Sequence, residues 1–178
     1  MSSARAADDL IEMPFLRKSG GKHEAPTPSD APAAPYGPVL EEGAVRRVLG
    51  DELARVHRYG RPLSVLRVTG YLLPHEKLHP AEHALVRETL AAQLRNTDRV
   101  GVMSDGSYLA VLPETPEAAA EAVAQRVAAE LSLRSASLNK RTWLVGVVAC
   151  TREHDVDSVL VQALAAAMRS RTHGWRAA

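Results

Sequence analysis

The sequence predicts an α/β sandwich with an antiparallel centre, and three observations carry that prediction. Two apolar runs, Arg99 to Met103 and Tyr108 to Leu112, flank Asp105-Gly106, a pair that accepts the positive φ of a tight turn, so this stretch reads as a β-hairpin. Two further short apolar runs, Leu63 to Val68 and Trp143 to Cys150, read as buried strands. Segments with apolar side chains at helical spacing are interleaved with these strands, and elements in that order pack as layers around one sheet.

Residues 1–38 hold six of the eleven prolines, with Ser, Ala, Gly and charges. They lack the apolar periodicity that would offset the entropy of ordering a chain, and a disordered tail is expected there. Within it Leu10, Ile11, Met13, Phe15 and Leu16 place five large apolar side chains in seven positions between acidic and basic flanks. That composition suits a segment that folds on a protein partner; a stray apolar patch is the plainer alternative.

The domain is expected over residues 39–178. From Leu40 to Arg58, Val45, Leu49, Leu53 and Val56 recur at helical spacing, and Tyr59-Gly60-Arg61-Pro62 stops the helix. After the strand at Leu63, Ala84 to Arg95 carries Val86, Leu90 and Leu94 on one stripe. Beyond the hairpin, Thr115 is placed to cap a helix with Pro116 at its first position and Val123, Val127 and Leu131 buried. The last helix is expected to open at Asp157 or Ser158, with Leu160, Leu164 and Met168 facing inward. Residues 74–83 contain a formal HExxH (His75, Glu76, His79), a zinc pattern when both imidazoles lie on one helix. Pro80 opposes such a helix, because its ring would clash with the carbonyl of Glu76, so a solvated turn without metal is expected.

A chain of 178 residues with 46% hydrophobic content suffices for one core of ordinary size. A net charge of +1 speaks against a generic nucleic-acid surface. The single cysteine, Cys150, excludes a disulfide framework or a cysteine-based zinc site within one chain. No apolar run approaches the roughly 18 residues of a membrane span. Asp8 and Asp9 stand where a signal peptide would be basic, so a cytoplasmic location away from membranes is expected.

Arg95-Asn96-Thr97-Asp98 forms an RxxD pair, five residues follow, and Ser104-Asp105-Gly106-Ser107-Tyr108 occupies the hairpin turn ahead of an apolar strand ending in Pro113. In this frame, over roughly residues 40–175, the chain resembles the GGDEF family of diguanylate cyclases and their non-catalytic relatives. Glu52 to Leu66 resembles the family's first helix running into its first strand. The resemblance implies a mainly antiparallel sheet flanked by helices. It also implies where cyclase chemistry would sit, with carboxylates at the end of the first strand and on the hairpin holding magnesium on a triphosphate. Here Thr69-Gly70-Tyr71 and Gly106 occupy those positions, Asp105 lies one place early, and the two signature glycines are Ser104 and Asp105. Neither catalysis nor a resident cofactor is expected.

The RxxD pair matches the family's inhibitory site, a receptor for cyclic di-GMP. A guanidinium presents parallel donors to guanine O6 and N7, and a carboxylate accepts from N1–H and the exocyclic amine. The resemblance places Arg95, Asp98 and, from the helix after the hairpin, Arg126 at this site, with Arg99 near phosphate charge. Two readings stay open. In the first, the protein is a non-catalytic cyclic di-GMP receptor, in which a stacked ligand pair can link two copies into a homodimer and the signal passes to a protein partner of unknown identity. In the second, Arg95 is a cation at a helix end, Asp98 caps a turn, and the protein is a scaffold without nucleotide. Ser104 to Tyr108 and Leu10 to Leu16 would then be its contact surfaces.

Overall fold

The computed structural model describes residues 34–73, 76–136 and 141–173. In chain order these form β1 (Leu40–Glu41), α1 (Glu42–Tyr59), β2 (Leu63–Gly70), α2 (Pro80–Gln93), β3 (Arg99–Val102), β4 (Tyr108–Pro113), α3 (Glu117–Ser135), β5 (Trp143–Cys150) and α4 (Val156–His173). The strands make one sheet in the order β1-β3-β4-β2-β5, and every neighbouring pair is antiparallel except β1 with β3. The expected sandwich with a mainly antiparallel centre is the observed fold. The expected tail, with Leu10, Ile11, Met13, Phe15 and Leu16, lies outside the described residues. No described helix is long and apolar enough to cross a membrane.

β2 is central: Leu63 to Val68 pair with Pro113 to Tyr108 on one side, and Leu63 to Gly70 pair with Cys150 to Trp143 on the other. Both faces of the sheet are covered, which is why β2 and β5 are mainly apolar on both faces, with Ser64 and Arg67 the buried polar residues of β2. Successive side chains point to opposite faces. Leu66 and Val68 join Val86, Leu90, Val127 and Leu131 under α2 and α3, whereas Leu63 and Val65 join Val45, Leu49, Leu53 and Val159 under α1 and α4.

Four sequence expectations are corrected. The packed domain starts before residue 39, because Tyr36 is 1% exposed within the α2–α3 core and its hydroxyl donates to the Arg87 carbonyl at 3.1 Å. α2 opens at Pro80 rather than Ala84. His79 is its N-cap and the Glu82 carboxylate accepts from the His79 N–H at 2.7 Å, with Pro80 at a position that needs no N–H. His79 therefore precedes the helix, and His75 lies outside the described residues. Thr115 donates its hydroxyl to the Pro113 carbonyl at 3.0 Å instead of capping α3, which begins at Glu117 after Pro116.

α4 turns a different face inward from the one its periodicity predicts. Leu164 and Met168 are 38% and 48% exposed, and the inward residues are Val159, Leu160, Ala163 and Ala167. Gly146 on β5 explains the rotation: a Cβ there would lie 2.2 Å from the Ala167 nitrogen and 2.7 Å from the Ala163 carbonyl oxygen. The helix backbone rests directly on the strand, and alanines are what fit beneath it. The helix is capped reciprocally, Asp155 Oδ1 accepting from Ser158 N–H at 2.7 Å and Ser158 Oγ from Asp155 N–H at 3.0 Å.

Candidate functional site

Two places in this fold carry the residues that the sequence singles out: the tip of the β3–β4 hairpin and a groove at the opposite end of β4. At the tip, Gly106 has φ +79° and its N–H donates to the Met103 carbonyl at 2.8 Å, closing the turn that Asp105-Gly106 encodes. Asp105 accepts from the Ser107 N–H at 3.0 Å and hydroxyl at 2.5 Å. Its other oxygen pairs with the Arg67 guanidinium at 2.7 Å. Burial would raise the Asp105 carboxyl, but the Ser107 donors and the Arg67 charge together hold it below the ordinary carboxylate value. The Ser104 N–H donates to Glu42 at the start of α1, at 2.8 Å, and this bond lowers the Glu42 carboxyl.

Arg67 is 4% exposed on the central strand, two residues before Thr69 and on the same face. Sequence reasoning passed over it. The signal was there, since an arginine inside the apolar run Leu63 to Val68 requires a partner, and Asp105 is that partner. The turn itself divides. Ser104 and Asp105 are exposed, but Ser107 and Tyr108 are buried, and the Tyr108 hydroxyl meets His83 Nδ1 at 2.8 Å. Ser104 to Tyr108 is therefore not a continuous contact surface. Among the described residues no three His, Cys, Asp or Glu side chains are grouped to hold a metal ion.

The groove, about 940 Å³, runs between α1, the turn before β3 and the connections at the ends of β2 and β4. One face of α1 contributes Val48, Asp51, Glu52, Arg55 and Tyr59, and Arg61, Arg95, Arg99 and Glu114 come from the loops and β3. Arg55 pairs with Glu52 at 2.7 Å, and Arg61 pairs with Glu114. Arg95 and Arg99 have no acidic partner within 4.0 Å among the described residues; Arg99 donates to the carbonyls of Asn96 and Asp98 at 2.8 and 2.7 Å.

Of the four residues expected at the receptor site, Arg95 and Arg99 meet in this groove. Asp98 turns inward: it is 4% exposed, and its Oδ2 accepts from the Arg95 N–H at 2.7 Å, closing the turn that aims Arg95 outward. Burial raises the Asp98 carboxyl, partly offset by the Arg95 N–H and the charges of Arg95 and Arg99. Arg126, on α3, donates to Gln93 Oε1 at 2.9 Å and is not part of the groove lining.

No family model and no curated protein matches the sequence. Solved structures do match the fold. The diguanylate cyclase SiaD of Pseudomonas aeruginosa, in complex with its activator SiaC, aligns with a TM-score of 0.65 at 18% identity, over 76% of this chain and 56% of the SiaD chain. The coiled coil and GGDEF domain of DgcB from Caulobacter crescentus, in complex with c-di-GMP, aligns with a TM-score of 0.65 at 13% identity, over 76% of this chain and 78% of that one. The active GGEEF domain of a diguanylate cyclase from Vibrio cholerae aligns with a TM-score of 0.63 at 15% identity, covering 77% and 94%. The chain spans little more than half the length of SiaD, and at these identities the likeness concerns architecture. Its five-stranded mixed sheet and four helices are those of GGDEF cyclase domains.

Proposed function

We propose that this protein is a non-catalytic cyclic di-GMP receptor of GGDEF fold that passes its signal to a protein partner. The observation that carries this reading is the pair of guanidiniums, Arg95 and Arg99, that line one groove and form no ion pair within 4.0 Å among the described residues. A groove of this size is within the range of about 300–1,000 Å³ that encloses small ligands, and two neighbouring guanidiniums suit two phosphates and the O6/N7 edge of guanine. At the hairpin tip a guanidinium, Arg67, engages Asp105, and Thr69 and Gly106 stand where a cyclase needs carboxylates. That arrangement supports the absence of catalysis, because two metals on a triphosphate require anionic ligands. A neighbour of the same fold carries c-di-GMP, and another is held by a protein activator, which is support by analogy for both kinds of partner.

A second reading, a scaffold without nucleotide, draws on Asp98, whose carboxylate serves its own turn. Titration calorimetry with cyclic di-GMP separates the two. The receptor reading expects binding that Arg95→Ala weakens by about tenfold or more, the effect of losing charge-assisted bonds. No heat and no saturation with the unaltered protein would leave the scaffold. Light scattering in the same samples tests the ligand-linked homodimer, which requires a doubling of mass only when ligand is present.

A further inference from the structure

The inward turn of Asp98 leaves the proposed site with donors for O6, N7 and phosphate but without the acceptor that a guanine requires for its N1–H and exocyclic amine. A carboxylate that is 4% exposed, with one oxygen already on a backbone N–H, is poorly placed to supply it. The groove itself is lined by three carboxylates. Glu52 is engaged by Arg55 and Glu114 by Arg61. Asp51 lines the same groove, is exposed, and takes part in no ion pair among the described residues. It sits one helical turn from Arg55 and two turns from Tyr59, whose exposed ring also faces the groove.

We infer that Asp51 is the base-reading carboxylate of this groove, accepting from N1–H and the exocyclic amine of a guanine whose O6, N7 and phosphates meet Arg95 and Arg99. This assignment rests on the receptor reading above and sharpens it. It makes Asp51 a specificity-determining residue and Asp98 a positioning residue that acts through the backbone of Arg95. The chemistry is selective. An ionised carboxylate matches the two donors of guanine and repels the N1 lone pair of adenine, so Asp51 favours guanine over adenine in an otherwise sequence-blind cationic groove. Tyr59, with the Arg58 guanidinium 5.7 Å from its ring centroid on one side, has its other face for the same base, a contact that tolerates either purine.

The test is calorimetric titration of the full chain with cyclic di-GMP and with cyclic di-AMP, on the unaltered protein and on Asp51→Asn, Asp98→Asn and Arg95→Ala. Asp51 is exposed on α1, so Asp51→Asn is expected to fold normally by circular dichroism. Asp51→Asn should weaken cyclic di-GMP binding by about tenfold to a hundredfold, the range for hydrogen bonds to a charged group, and narrow the preference over cyclic di-AMP. The sign is diagnostic, because removing a negative charge from a cationic groove would by itself tighten binding of an anionic ligand. Asp98→Asn keeps an acceptor for the Arg95 N–H, so it should narrow the preference for cyclic di-GMP over cyclic di-AMP less than Asp51→Asn does; an equal or greater narrowing at Asp98 overturns the assignment of base reading to Asp51. Unchanged or tighter binding by Asp51→Asn, with binding lost in Arg95→Ala, overturns the Asp51 assignment and leaves the receptor standing. Failure of the unaltered protein to bind either dinucleotide overturns the receptor reading and the assignment together.

Discussion

At the scale of single residues, the hairpin tip is held by an ion pair that the sequence hides in two distant places. Arg67 is buried and Asp105 half-exposed, so losing the aspartate would leave a buried guanidinium without its anion, a more costly state than having neither. Asp105→Asn should lower unfolding stability by about 1–2 kcal/mol at pH 7. The pH dependence has a definite sign. The Asp105 carboxyl is held below its ordinary 3.8, so its stabilisation is complete above that value and is lost as pH falls through the lower folded one. Denaturant titrations should therefore show unaltered and Asp105→Asn proteins converging below about pH 4. A difference that stays constant down to pH 2 would separate the pair from stability. The Gly106 turn was legible, because an Asp-Gly pair between apolar runs specifies it locally, while the Ser107 bonds that brace Asp105 were not read. The Arg67 partnership was not legible, because it joins residues 38 apart in the chain. Asp98 shows the same limit in reverse. Its spacing from Arg95 was readable, but whether its carboxylate faced ligand or backbone depended on burial that the motif does not encode.

At the scale of elements, the four longer strands and the hairpin were legible nearly to the residue, since β2 and β5 are mainly apolar and the turn is marked by its own residue types, whereas β1 (Leu40–Glu41) lay inside the expected first helix. The start of α2 was missed by four residues because His79 is an unusual N-cap, completed by Glu82 rather than by a Ser or Asp side chain. The face of α4 was misjudged for a different reason. Periodicity selected the large residues Leu164 and Met168, whereas the sheet selected the small ones through Gly146, which lies on β5 and outside any helical pattern. Gly146→Ala should consequently destabilise the domain by about 3 kcal/mol or more, because the new methyl would meet helix backbone that cannot turn aside. A chemical denaturation midpoint within error of the unaltered protein would show that α4 is free to lift. One further element carries an ionic clasp: Arg141, beside β5, pairs with buried Glu82 at the start of α2 and with Glu76 at 2.7 Å, and donates to the Tyr71 carbonyl at 3.1 Å. It ties the segment after β2 to two neighbouring elements, at the end of the sheet where β2 closes with Thr69 and Gly70.

At the scale of the whole molecule, the same sheet presents two ends with different chemistry. The tip of the β3–β4 hairpin is occupied by a guanidinium–carboxylate pair, and the opposite end opens into the groove that receives Arg95 and Arg99. The fold was legible because it depends on apolar pattern and turn residues spread along the chain; the groove was not, because α1 supplies Asp51, Arg55 and Tyr59 from a helix whose exposed face carries no motif. A receptor of this kind binds cyclic di-GMP without making it, which is tested by quantifying cyclic di-GMP after prolonged incubation of the protein with GTP and magnesium. The expected result is no product above a protein-free control, in a preparation that calorimetry shows to bind added cyclic di-GMP. Product accumulating in proportion to protein, and absent without magnesium, would contradict it and return the Arg67–Asp105 end of the sheet to the role of an active site.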